Sequence, residues 1–136
     1  MLKKIVKELL KELNYAEEGA KTSWELNNET KITLKELVKF LDENNIPIIN
    51  INLNKIKHLI IDVERDNKRI NAADLNFPII ISKFKDKYLS ILDGNHRAVK
   101  SLLNNNKFIK GRILDLEKCP EIYRKLFLYP LINNNY

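Results

Sequence analysis

The chain is 136 residues long, 44% hydrophobic and 31% charged, with 3 Gly and 4 Pro, which fits one compact domain and excludes disordered, collagen-like and Pro/Gly-linker classes. Its single cysteine, Cys119, excludes an intramolecular disulfide and a thiolate-ligated zinc site. The net charge of +6 rests on 19 Lys against 5 Arg, and Lys alternates with Glu along the predicted helices, as on a solvated face.

Leu2, Ile5, Val6, Leu9, Leu10 and Leu13 recur at helical spacing, with Lys3, Lys4, Lys7 and Lys11 on the other side. The first segment therefore reads as an amphipathic helix docked on the protein's own core. Its charges interrupt every apolar stretch, so it is not a secretory signal, and no run in the chain approaches the ~20 apolar residues of a membrane span. The expectation is a soluble, cytoplasmic protein with no membrane partner. From Asn14 to Glu29 the pattern is polar, and the lone Trp24 reads as a plug between the first helix and the body. Thr33-Leu-Lys-Glu36 is a capping box that opens a helix with the stripe Leu34, Leu37, Val38 and Leu41. That helix should end near Asn44-Asn45, because Pro47 disfavours helical geometry at Ile46.

The period then changes to two. Ile49, Ile51 and Leu53 alternate with Asn50, Asn52 and Asn54, the signature of a half-buried strand. Residues Lys55 to Ile61 suggest a short helical turn, with His58 as a half-buried structural residue. Asp62 to Asp74 is a long polar connection, and long connections in small domains are often functional. Phe77–Ile81 and Tyr88–Leu92 read as a β-hairpin around the charged turn Ser82–Lys87. A helix with Ala98, Val99, Leu102 and Leu103 apolar follows Asp93-Gly-Asn-His-Arg97 and ends in Asn104–Asn106. Phe108 to Leu114 is a further strand, and a last helix runs from about Pro120 to Leu128, stopped by Pro130.

The chemistry concentrates where the second hairpin strand meets the helix. Gly94 lets the chain turn sharply, and a helix start offers unpaired N–H groups and the positive end of its dipole to an anion. His96 and Arg97 add donors, and the Arg97 fork suits two phosphate oxygens at once. Asp93 suits a helix cap, a contact to Mg²⁺ on a bound phosphate, or a general base. Glu64, Arg69 and Asp74 lie in the polar connection as accessory charges, and Arg112 points either to this site or to solvent. Two widely spaced histidines without a nearby Cys give no transition-metal site.

The string from Pro78 to Lys100, ending its strand in Asp93-Gly-Asn-His-Arg97, resembles the ParB/sulfiredoxin superfamily, and the likeness extends over about Ile48 to Leu116. The resemblance implies that this motif binds nucleotide phosphates; in the resulting reading Gly94, Asn95, His96 and Arg97 cradle them, Asp93 acts as base or Mg²⁺ contact, and Asp93 and His96 are the catalytic candidates. The DGNHR string is closest to the free serine kinase branch. Asn95 stands where sulfiredoxins carry their attacking cysteine, so sulfinic-acid reduction is excluded. Only 20 residues follow Leu116, too few for the DNA-binding and dimerisation regions of ParB.

The expected architecture is α+β, with a small mixed sheet, surrounding helices and a ParB/sulfiredoxin-like core. It is read as one domain: a helical extension over 1–45, the core over 46–116, and a C-terminal helix and tail over 117–136. The expected function is binding of a nucleoside di- or triphosphate with Mg²⁺, followed by phosphoryl transfer to a small-molecule or protein acceptor, or by nucleotide hydrolysis. The alternative is a non-enzymatic, nucleotide-dependent DNA- or protein-binding module, and a ParB-like nuclease ranks third. Free nucleic acid is expected to bind only weakly and without sequence preference.

Overall fold

The computed structural model describes residues 22–27, 29–60 and 67–133. The proposed helix over Leu2–Leu13 and the candidate Glu64 lie outside them. The fold is mixed α+β, and the chain divides into two compact units, 1–44 and 45–136.

In the first unit, β1 (Ser23–Asn27) pairs antiparallel with β2 (Thr30–Thr33) and leads into helix α1 (Leu34–Glu43). This hairpin begins within the stretch that the sequence marks only as polar, up to Glu29. Its turn is made by one side chain: Asn27 Oδ1 accepts the amides of Glu29 at 2.9 Å and Thr30 at 2.8 Å. An Asx turn of this kind closes a hairpin without Gly or Pro. Trp24 sits on β1 opposite Ile32, half-buried.

Thr33 caps α1 as expected, its Oγ1 accepting the Glu36 amide at 3.1 Å. The return arm of the box differs, since the Glu36 carboxylate accepts the Thr33 hydroxyl at 3.2 Å. Leu34, Leu37 and Leu41 are the buried stripe. Thr33→Ala should cost about 1 kcal/mol, read as faster hydrogen exchange in the first turn of α1; unchanged exchange would show the cap to be idle.

The second unit is built on a four-stranded sheet in the order β3-β6-β4-β5, made of β3 (Ile49–Asn52), β4 (Ile79–Phe84), β5 (Lys87–Asp93) and β6 (Phe108–Asp115). β4 and β6 run parallel, and the other two pairs are antiparallel. The central strand β4 is buried on both faces, with Ile79 through Ser82 all inaccessible. This explains why its sequence is a continuous apolar run and not an alternation. One face carries the cluster of Ile51, Ile79, Ile81 and Ile109, closed by Leu53, Ile56 and Ala98. At about 2 kcal/mol for each fully buried Ile, this cluster is the main source of stability for the unit.

Short helices fill the connections. Leu53–Ile56 is helix α2, begun by Asn52 Oδ1 accepting the Asn54 amide, and a 3₁₀ turn follows at Lys57–Leu59. Leu53 therefore leaves the strand pattern while remaining buried, and His58 is exposed, not half-buried. Helix α3 (Asn67–Ala72) lies within the expected loop, and α4 (Asn95–Leu103) follows β5. Helix α5 (Glu121–Phe127) starts after Pro120, and its Tyr123 and Phe127 rings stack at 6.5 Å. Pro130 does not end the helical region. It occupies the first turn of a further helix, α6 (Tyr129–Asn133), where its missing N–H has no helical partner to lose.

Among the described residues no helix is long and apolar enough to cross a membrane.

Candidate functional site

β5 delivers the DGNHR string to the end of the sheet where β4 begins. Two irregularities shift the β4–β5 register, and at the second strand's end Ile81 faces Ile91 while Ile80 faces Asp93. The extra residue, Leu92, advances Asp93 by one position, and a bulge of this kind re-aims the side chain beside it.

Gly94 then takes the left-handed conformation, φ 96° and ψ 28°, as the N-cap of α4. A Cβ there would lie 2.7 Å from Ile79 Cγ2 and 3.1 Å from Arg97 Cζ, so both backbone angle and space require glycine. The first helical bond runs from the Ala98 amide to the Gly94 carbonyl at 2.9 Å. Gly94 brings no side chain of its own to the cap, and a helix start presents N–H groups and the positive end of its dipole to an anion.

Gly94, not Asp93, occupies the N-cap position. Asp93 Oδ2 accepts Arg97 Nη2 at 2.8 Å, while Arg97 Nη1 donates to the Pro78 carbonyl at 2.6 Å. Arg97 is buried, at 8% exposure. The fork that the sequence directs at a phosphate is directed inward, clasping the start of β4 to the end of β5. One guanidinium thus fixes three segments that meet at the site.

Asn95 and His96 are half-buried at the first two helical positions. Asn95 Oδ1 is fully buried without a hydrogen-bond partner among the described residues. Such an orphan costs about 1–3 kcal/mol and marks a place where a donor belongs. No hydrogen bond from a described residue reaches the His96 imidazole.

The described accessory candidates have their own engagements. Arg112 turns neither to the site nor to solvent; its Nε and Nη2 both donate to the Ile46 carbonyl, at 3.1 and 2.8 Å. Asp74 Oδ1 accepts the Asn76 amide at 2.9 Å, which makes it a turn-former. Arg69 is exposed on α3. Lys100, which the sequence did not single out, donates to the carbonyls of Asn71 and Ala73 at 2.9 and 2.7 Å. It fastens the C-terminal end of α3 to α4, and a cation near helix-terminal carbonyls is the favourable charge there.

Burial pushes the Cys119 thiol above its ordinary pKa, against the pull of Arg124. A buried, protonated thiol is a packing group and not a nucleophile. Among the described residues no three His, Cys, Asp or Glu side chains converge on a point where a metal ion would sit. Mg²⁺ carried by a nucleotide needs one or two open carboxylates from the protein. Asp93, clasped by Arg97, does not fit that role in this arrangement.

No family model, curated protein or solved structure matches the chain.

Proposed function

We propose that the N-terminus of α4 is a phosphate site for a nucleoside di- or triphosphate, in a ParB/sulfiredoxin-like protein that transfers or hydrolyses the terminal phosphoryl group. The observation that carries this reading is the helix start itself: begun by a left-handed glycine and lined by half-buried Asn95 and His96, with Asn95 Oδ1 buried and without a partner among the described residues. In this reading the first-turn amides take the phosphate oxygens, His96 donates to them, and Asn95 Oδ1 accepts from a ligand hydroxyl or amine. Arg97 acts at one remove, by holding Asp93 and Pro78 in place. The acceptor hydroxyl or water attacks the terminal phosphorus, its proton passes to Asp93, and the bridging P–O bond breaks. Catalysis of this kind is positioning and charge stabilisation without a covalent intermediate.

One observation favours the second reading, a nucleotide-binding module without chemistry: Asp93 is already ion-paired with Arg97, at 2.8 Å. A thermal-shift panel of nucleoside di- and triphosphates, with and without Mg²⁺, tests the site. A ligand at a hundred times its Kd should stabilise the fold by ~2.7 kcal/mol. Phosphate release assayed in the same mixtures separates enzyme from module. A flat panel at millimolar nucleotide would contradict both readings.

A further inference from the structure

We draw no further inference here: the strongest candidate, the open edge of β3 with its exposed Ile48 and Ile49, is an apolar strand edge for which nothing in the structure shows what covers it.

Discussion

Arg97→Ala should destabilise the fold by about 3 kcal/mol or more, because it removes one partner of a buried ion pair and strands the other. The Asp93 side chain is only 18% exposed, so its carboxylate would lose its counter-ion without regaining full hydration. The Pro78 carbonyl would lose its 2.6 Å donor in the same step. An Arg that served only as a surface phosphate ligand would behave oppositely, weakening nucleotide binding while leaving stability untouched. Urea denaturation of the two proteins distinguishes the cases. A clear fall in the midpoint is the expected result, and an unchanged midpoint would contradict the clasp.

Gly94→Ala should cost about 2–5 kcal/mol, from two sources that act together. A left-handed backbone costs an L-residue roughly 1–2 kcal/mol. The added Cβ also meets Ile79 Cγ2 at 2.7 Å, and overpacking a filled core typically costs about 1–3 kcal/mol. Ile79 is fully buried in the middle of the sheet, so the methyl has little room to move. Gly94→Asn separates the terms, since Asn tolerates the left-handed region but keeps the Cβ. Thermal or urea unfolding should show Asn recovering only part of the loss. Full recovery would remove the steric contribution, and a neutral Gly94→Ala would overturn the account of the turn.

The elements that were legible from sequence are those whose signals are local. The Ile/Asn alternation placed β3, the apolar runs placed β4 and β5, the segment from Phe108 placed β6, and the spacing of leucines placed α1. Thr33 was legible as a cap because its partner lies three residues away. The β1–β2 hairpin was not, since its turn is formed by one Asn side chain and β1 carries no β-branched residue. Helix α3 is too short and polar to leave a periodic trace.

Of the candidate site, the strand-to-helix junction at Gly94 was legible and the direction of Arg97 was not. A guanidinium fork suits a phosphate, a carboxylate and a carbonyl equally well, and sequence does not say which of them is near. Arg97 reaches Pro78 across 19 positions and Arg112 reaches Ile46 across 66. Arg124 likewise donates to the carbonyls of Leu116 and Cys119. Three of the 5 arginines therefore donate to main-chain carbonyls.

The central claim is that phosphate sits on the first turn of α4, and amide chemical shifts in a nitrogen-labelled sample report on it directly. Titrated with the nucleoside triphosphate that gives the largest thermal shift, the N–H resonances of Asn95, His96 and Arg97 should move first and furthest, with Ala98 and Lys100 following weakly. Shifts centred on any other part of the chain, with those three amides unmoved at saturation, would contradict it.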